Sequence, residues 1–224
     1  MLDASKTVDT IKIRFYIDWL YNNHIHADGE NANEKELTTK IITDLIDPLN
    51  LPKTAKILDL GCGAGYFLDE MKAREYTNLT GVTLSVDDIK LCTDKGHNVQ
   101  QLDFSFLPQS AGYDDESVDF IFLRQALEHS PFPVITLIEY NRVLKQNSKI
   151  YIEVPAPDTT QNHEAMLNHY SVLGSNQVAA LLTRTGFDVD CFKTIEFDIT
   201  ADDVTTKEKL FCIIATKKRA LDIK

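Results

Sequence analysis

From residue 57 onward, short apolar runs alternate with segments in which apolar positions recur every three to four residues. Runs typical of buried strands lie at 57–60, 79–84, 99–102, 118–123, 149–154, from 187, and at 210–216. Helical spacing follows Tyr66, Pro133 and two predicted N-caps, Ser85 and Ser175. This alternation predicts an α/β fold with a doubly wound, mostly parallel seven-stranded sheet and helices on both faces. Because no helical segment separates the last two runs, we expect an antiparallel hairpin at the C-terminal edge.

Two amphipathic segments precede the first predicted strand. Residues 7–23 and 33–45 carry apolar positions at helical spacing, and prolines end the second segment. We therefore expect an N-terminal helical cap over residues 1–52 and one compact domain over residues 53–224. The cap is expected to pack on the core, with folding over a ligand cleft as the alternative.

The net charge restricts which partners are expected, and the cysteine content indicates the cellular compartment. The chain has 224 residues and a formal net charge of −11. This acidic balance argues against a nucleic-acid partner, which binds clustered Lys and Arg, and against an anionic membrane surface. The four cysteines are scattered without a C-x-x-C pair, which favours a reducing, cytoplasmic location. The segment around His24 and His26 is interpreted as a solvated turn, and no metal site is predicted.

A glycine-rich turn follows the first predicted strand and opens a helix. Gly61, Gly63 and Gly65 leave the backbone open to close approach by a ligand and give access to positive φ angles. The helix that begins near Tyr66 points its unpaired N–H groups at the same place, so we expect a polar or anionic ligand group there. The dinucleotide fingerprint Gly-x-Gly-x-x-Gly is not met, because Tyr66 occupies the position of its last glycine.

The segment 57–65 resembles the first motif of the class I S-adenosylmethionine-dependent methyltransferases. That motif consists of apolar residues, an Asp, a Leu or Val and then Gly-x-Gly-x-Gly, and the chain matches it without a gap, with Asp59 as the acid. Residues 81–85 are similar to the cyclopropane fatty acid synthase branch of these enzymes, and residues 127–129 to their small-molecule branch. The resemblance extends over about residues 56–186.

The resemblance implies S-adenosylmethionine as the cofactor and a small molecule as the methyl acceptor. Asp103 matches the family residue whose carboxylate accepts a hydrogen bond from the exocyclic amine of adenine. The backbone N–H of Phe104 matches the group that donates to a ring nitrogen of the same base. Thr83 stands where the family usually has an acid for the ribose hydroxyls. Methyl transfer is expected by in-line displacement, in which alignment supplies roughly 7–11 kcal/mol. The implied cofactor-binding residues are Asp59, Gly61, Cys62, Gly63, Gly65, Thr83, Leu84, Asp103, Phe104 and Arg124.

Two histidines are candidate bases for an acceptor that arrives protonated. His129 follows the fourth predicted strand and His169 lies in the connection after the fifth, and imidazole titrates near neutral pH. A structural role, in which each imidazole holds its loop by a hydrogen bond, is the alternative. Residues 155–174 are long for a connection without its own structure, so we predict that they form the acceptor pocket together with the N-terminal cap.

Three other functions are compatible with parts of the pattern. A protein that binds S-adenosylmethionine without turnover, such as a sensor or regulatory subunit, fits the missing ribose carboxylate at Thr83. A nicotinamide-dependent oxidoreductase is disfavoured by Tyr66 in the glycine turn. A cyclopropane-forming lipid enzyme is disfavoured by the acidic charge. Neither the methylated atom nor the oligomeric state follows from the sequence.

Overall fold

A computed structural model describes Trp19, residues 29–201 and residues 204–221, with the backbone alone at 200, 201 and 204. The described strands are β1 (Ile57–Leu60), β2 (Leu79–Thr83), β3 (Val99–Gln101), β4 (Val118–Arg124), β5 (Leu144–Pro155), β6 (Phe187–Ala201) and β7 (Val204–Lys217). They form one sheet in the order β3-β2-β1-β4-β5-β7-β6. Strands β1 to β5 are parallel, and β7 lies antiparallel between β5 and β6.

This strand order confirms the predicted doubly wound sheet with an antiparallel hairpin at its C-terminal edge. β1 lies at the centre of the parallel part, with Asp59 opposite Gly81 of β2 on one side and Phe122 of β4 on the other. The chain reverses its direction of winding between β1 and β4, and such a reversal opens a crevice at the carboxyl ends of the two strands. The glycine turn and the segment after β4 therefore meet at this crevice.

Of the two N-caps predicted from the sequence, the structure confirms one. The Ser85 side chain accepts the N–H of Asp88 and starts its helix as predicted. Ser175 was expected to cap the last helix, and this prediction is wrong. Gly174 is the N-cap there, and the side chain of Gln177 accepts its N–H, so Ser175 is already helical. The helices are α1 (Ala32–Ile41), α2 (Tyr66–Ala73), α3 (Val86–Asp94), α4 (Pro133–Val143) and α5 (Ser175–Arg184).

The region ahead of β1 is more irregular than predicted. Asn31 caps α1, because its side-chain oxygen accepts two main-chain N–H groups. In place of one regular helix over 33–45, α1 widens into π-helical turns over Ile42–Ile46 and then ends in a short 3-10 turn. The helix predicted over 7–23 lies outside the described residues, apart from Trp19, which is helical.

Two strands are longer than their apolar runs. β5 begins at Leu144 instead of residue 149, with a shift of register against β4. β7 begins at Val204 instead of residue 210, and its polar first half pairs with β6 as far as Ala201. Polar residues can form the first half of β7 because an antiparallel hairpin that extends past the covered part of the sheet needs no apolar face there.

Apolar side chains pack on both faces of the sheet. On one face Leu58 packs with residues of α4 and α5, and on the other Ile57 packs with residues of α1 and α2. Phe122 stacks between Phe67 and Tyr151, with ring centroids 3.9 and 4.9 Å apart. This aromatic stack places a rigid apolar surface beside the crevice. Within the described ranges, none of the helices has both the length and the apolarity needed to cross a bilayer.

Candidate active site

The glycine turn between β1 and α2 is fixed to β2. The N–H groups of Gly61 and Cys62 both donate to the carbonyl of Val82, at 2.8 and 3.1 Å. Gly61 and Gly65 have φ angles of +75° and +78°. A Cβ atom on Gly61 would lie 2.7 Å from the Cβ of Ala126, which follows β4. Gly61 is therefore required by the packing of two loops as well as by its backbone angle.

A cleft of about 440 Å³ lies between the glycine turn, the segment after β4, the β5–α5 connection and the β6–β7 hairpin. It brings together the predicted residues Asp59, Gly61, Cys62, Gly63, Arg124, His129 and His169. Gly65 lies behind them as the N-cap of α2. Thr83, Leu84, Asp103 and Phe104 lie at the carboxyl ends of β2 and β3, outside the lining of this cleft. The predicted residues thus divide between the cleft and the neighbouring strand ends.

Asp59 is a buried acid in the middle of the cleft lining. Its residue surface is 2% exposed, and its Oδ2 atom has no hydrogen-bond partner among the residues that the structure describes. Burial raises the pKa of Asp59 to about 8, and the guanidinium of Arg124 opposes this shift only in part. Because an unpartnered buried oxygen costs stability, Asp59 is suited to exchange a hydrogen bond with a bound polar group.

The ends of β2 and β3 carry two polar side chains that are only partly satisfied. Thr83 Oγ1 accepts the N–H of Ser85 at 3.2 Å, which leaves the hydroxyl proton as a donor. Asp103 Oδ1 accepts the N–H of Ser105 at 2.8 Å. The other oxygen, Asp103 Oδ2, is buried and has no hydrogen-bond partner in the described part of the chain. Burial raises the pKa of Asp103, and the hydrogen bonds from Ser105 oppose this shift.

Arg124, at the end of β4, is held by carboxylates on two sides. Its Nε atom lies 2.8 Å from Oε1 of the buried Glu153, and Nη2 lies 2.7 Å from Oε2 of Glu34 on α1. Nη1 donates to Oγ1 of Thr38, also on α1, at 3.1 Å. Glu153 in turn accepts the hydroxyl of Tyr151 at 2.7 Å. These contacts tie α1 to the sheet at the side of the cleft.

Imidazoles and acids from distant parts of the chain meet at the opposite side of the cleft. The His129 and His169 rings lie edge to face with centroids 4.7 Å apart, and the His163 and His169 rings stack at 5.4 Å. His129 Nδ1 lies 2.9 Å from the carbonyl oxygen of Asn168, which can only accept, so Nδ1 carries the proton. His163 Nε2 lies 2.8 Å from a carboxylate oxygen of Glu208. The histidine centre is defined as Glu128, His129, His163, His169 and Glu208.

Two members of the histidine centre have strongly shifted pKa values. Burial raises the pKa of Glu128 to about 8. Burial lowers the pKa of His169 to about 4, with further lowering by His129 and His163. Glu128 is 1% exposed, and neither of its carboxylate oxygens has a partner outside its own residue in the described structure. Perturbed titratable groups that line a cleft are typical of functional sites.

Several cleft residues were not predicted as site residues from the sequence. They are Glu128, His163 and Glu208 of the histidine centre, together with Phe197 and Ile199 of the hairpin. Glu208 is 45 residues from His163 and lies on β7, which pairs with the end of β5, so no local sequence pattern indicates the contact. Glu128 was detectable, since it lies in the segment Leu127–His129 that carries part of the family resemblance.

Comparison with known proteins gives the family. Residues 32–191 match the family described as a methyltransferase domain. The chain therefore belongs to the class I S-adenosylmethionine-dependent methyltransferases, which confirms the predicted family. It is 25% identical over 152 residues to 27-O-demethylrifamycin SV methyltransferase of Amycolatopsis mediterranei. That alignment covers 63% of this chain and 56% of the relative, so the chain spans little more than half the relative's length.

Solved structures share the fold. A SAM-dependent methyltransferase from Archaeoglobus fulgidus superposes with a TM-score of 0.65 at 22% identity, covering 91% of this chain and 99% of that structure. The [4+2]-cyclase SpnF superposes with a TM-score of 0.63 at 16% identity, covering 82% of this chain and 80% of that structure. These similarities support the fold alone, and the cyclase shows that the fold is not restricted to proteins named as methyltransferases.

Proposed function

We propose that the chain binds S-adenosylmethionine across the glycine turn and the ends of β2 and β3, and methylates a hydroxyl group of a small molecule held in the cleft. The observation that carries this proposal is a pair of buried acids, Asp59 and Asp103, each with one oxygen that lacks a partner within the described residues. Unpaired buried carboxyl oxygens are costly to the fold. Both lie at positions where the family resemblance implies cofactor contacts.

The adenosine end of the cofactor fits the donors and acceptors at the ends of β2 and β3. Asp103 Oδ2 would accept the exocyclic amine of adenine, and the N–H of Phe104 would serve a ring nitrogen. The Thr83 hydroxyl, already an acceptor from Ser85, would donate its proton to a ribose hydroxyl. Because a hydroxyl is a weaker partner than a carboxylate, Asp103 is expected to contribute more affinity than Thr83.

The cofactor supplies a methyl group already activated by its bond to a sulfonium sulfur. The protein's task is then alignment, and well-oriented reactants gain roughly 7–11 kcal/mol relative to free ones. The stack of Phe67 and Phe122 gives the cleft a rigid wall, and the ion pairs of Arg124 fix α1 beside it. We assign this rigid frame the role of holding donor and acceptor for in-line displacement.

The side of the cleft that carries the histidine centre is assigned to the acceptor. His129 and His169, the candidate bases from the sequence, both line it, as does part of the long β5–α5 connection. Imidazoles and carboxyl groups are suitable neighbours for a hydroxyl that must lose its proton. A hydroxyl acceptor is further supported by the name of the Amycolatopsis relative, which specifies an oxygen. Residues 29–38 of the predicted cap also line the cleft and would contribute to acceptor binding.

A second candidate function is cofactor binding without methyl transfer. Thr83 in place of the usual ribose acid favours it, because a weaker ribose contact suits a sensor as well as an enzyme. This alternative uses the same cofactor site, but it predicts that no methyl group is transferred to an acceptor.

Incubation with S-adenosylmethionine labelled in its methyl group, with a panel of small phenols and alcohols, tests the proposal. We expect label in at least one acceptor, and loss of most of that activity in Asp103→Ala. Asp94→Ala, which removes an exposed acid paired with Lys90 on α3, is the matched control and should retain activity. Saturable cofactor binding without a labelled product across the panel would favour the binding protein.

A further inference from the structure

Three potential metal-binding atoms converge in the histidine centre. One atom each from Glu128, His129 and His169 lies within 4.8 Å of the other two. Metals held at about 2.0–2.2 Å keep their ligand atoms about 3–4 Å apart, so small side-chain rotations bring these three to bonding positions. Glu128 and His129 lie in the 3-10 turn after β4, and His169 lies in the β5–α5 connection. The site is therefore formed only in the folded chain.

The buried atoms of Glu128 and His169 lack, among the described residues, the partners that a purely structural role would provide. Both carboxylate oxygens of Glu128 and the Nδ1 atom of His169 are buried without a hydrogen-bond partner among the described residues. Glu128 lies almost completely inside the protein, at 1% exposure. Buried polar groups in folded proteins are nearly always hydrogen-bonded, since an unpaired one costs the full desolvation penalty. A ligand that bonds to these atoms would remove that penalty.

The remaining contacts orient the imidazoles as they are oriented at metal sites. His129 carries its proton on Nδ1, which donates to the carbonyl of Asn168, so the lone pair is on Nε2. A ligating histidine commonly donates its other ring N–H to a backbone carbonyl or a carboxylate in this way. His163 is bonded to Glu208 and stacks on His169, with an interplanar angle of 4°. His163 and Glu208 are therefore positioning residues for His169.

We propose that Glu128, His129 and His169 bind one divalent transition-metal ion in the cleft. Two imidazole nitrogens and one carboxylate oxygen suit Zn²⁺, Fe²⁺, Co²⁺ or Mn²⁺, whereas Mg²⁺ and Ca²⁺ prefer oxygen ligands throughout. Three protein ligands leave further coordination positions open, as at catalytic metal sites. Metal binding itself does not depend on the proposed methyl transfer.

The metal would change the roles of the two histidines. As ligands, His129 and His169 have their lone pairs committed to the metal and do not act as free bases. A hydroxyl group that coordinates at an open position loses its proton more readily, since a bound divalent ion lowers the pKa of its oxygen ligands. This consequence for the acceptor rests on the proposed function, and it replaces the histidine bases with one metal centre.

Titration of the full chain, freed of metal by chelator and dialysis, with ZnCl₂ against a chromophoric chelator tests the proposal. We expect one tight site per chain and, with CoCl₂, the visible absorption of a nitrogen-ligated ion. His169→Ala and Glu128→Gln should each weaken the affinity by at least about tenfold, since removal of outer partners alone costs about 10- to 100-fold. Glu128→Gln keeps the shape of the buried side chain, so it is informative if His169→Ala fails to fold.

His97→Gln is the matched control. The His97 side chain is largely buried outside the histidine centre, and its Nε2 atom lies 2.6 Å from Oδ1 of Asp69. It should leave the tight site unchanged. No saturable binding by the folded wild type, or binding that Glu128→Gln and His169→Ala leave unaltered, would overturn the proposal. Because no cofactor is present in this titration, its failure is distinct from failure of S-adenosylhomocysteine binding, which tests the proposed function.

Discussion

The proposed cofactor half and the proposed acceptor half of the site are built in different ways. The cofactor half consists of the glycine turn, which lines the cleft, and of the neighbouring ends of β2 and β3 outside its lining, all within residues 59–104. The acceptor half is the histidine centre, whose members extend from Glu128 to Glu208 and meet through the β5–α5 connection and the β6–β7 hairpin. The first half depends on local turn geometry and the second on long-range packing. The motifs that carry the family resemblance therefore specify more residues of the first half than of the second.

Both halves contain buried acids with oxygens that have no hydrogen-bond partner among the described residues, but the two halves are stabilised differently. In the cofactor half the surroundings of Asp59 and Asp103 are held by backbone hydrogen bonds of the turns. Between the halves, Arg124 of β4 pairs with the buried Glu153 of β5 and with Glu34 of α1, which fixes α1 to the sheet. Substitutions at the Arg124–Glu153 ion pair, in the glycine turn and at Asp103 should therefore affect stability to different extents.

Removal of the guanidinium from the buried pair is expected to have the largest effect on stability. Arg124→Met leaves the fully buried Glu153 without its cation, and breaking a buried pair from one side costs about 3–5 kcal/mol. Urea unfolding at neutral pH measures this cost. Lys90→Met, which removes an exposed ion pair with Asp94, is the control and should leave the unfolding midpoint unchanged. A midpoint for Arg124→Met equal to that of the control would show that the pair does not hold the two halves together.

Substitution in the glycine turn is expected to have the next largest effect on stability. Gly61→Ala adds a Cβ atom 2.7 Å from that of Ala126 and forces a positive φ on alanine, which together cost about 2–4 kcal/mol. Gly112→Ala is the matched control, because Gly112 has φ of +88° and no atom of the described residues lies within 4 Å of the added Cβ, so a loss of only about 1–2 kcal/mol is expected. Thermal unfolding of both variants separates packing from backbone strain. Equal losses would mean that the contact with Ala126 is not tight.

The smallest expected effect is a pH dependence at Asp103. Burial raises the pKa of this acid in the folded state, so the folded chain binds the proton more tightly than the unfolded chain does. The wild type should therefore lose stability relative to Asp103→Asn as the pH rises from about 4 through the raised pKa. Unfolding free energies of both proteins across that range give the difference. A difference that does not change with pH, or that changes in the opposite direction, would contradict the claim that burial raises the pKa of Asp103.

The sequence predicted the sheet, its hairpin edge and the glycine turn because each has a local signal. Alternating periodicities mark strands and helices, and Ser85 marks a cap that the structure confirms. The polar starts of β5 and β7 had no such signal, because hydrogen bonding to a neighbouring strand formed them without an apolar pattern. The convergence of Glu128 with His169 had none either, since it depends on the path of residues 155–174. The sequence therefore identified His129 and His169 as candidates, but it did not predict that Glu128, His163 and Glu208 lie beside them.

Calorimetric titration of the full chain with S-adenosylhomocysteine measures cofactor binding at the proposed site. We expect saturable binding of one molecule per chain, weakened roughly 10- to 100-fold in Asp103→Ala, because a hydrogen bond to a charged group contributes about 1.5–3 kcal/mol. Asp94→Ala, which removes an exposed acid, should bind like the wild type. Absence of binding by the folded wild type, or equal affinity in Asp103→Ala, would contradict the placement of the cofactor at the ends of β2 and β3.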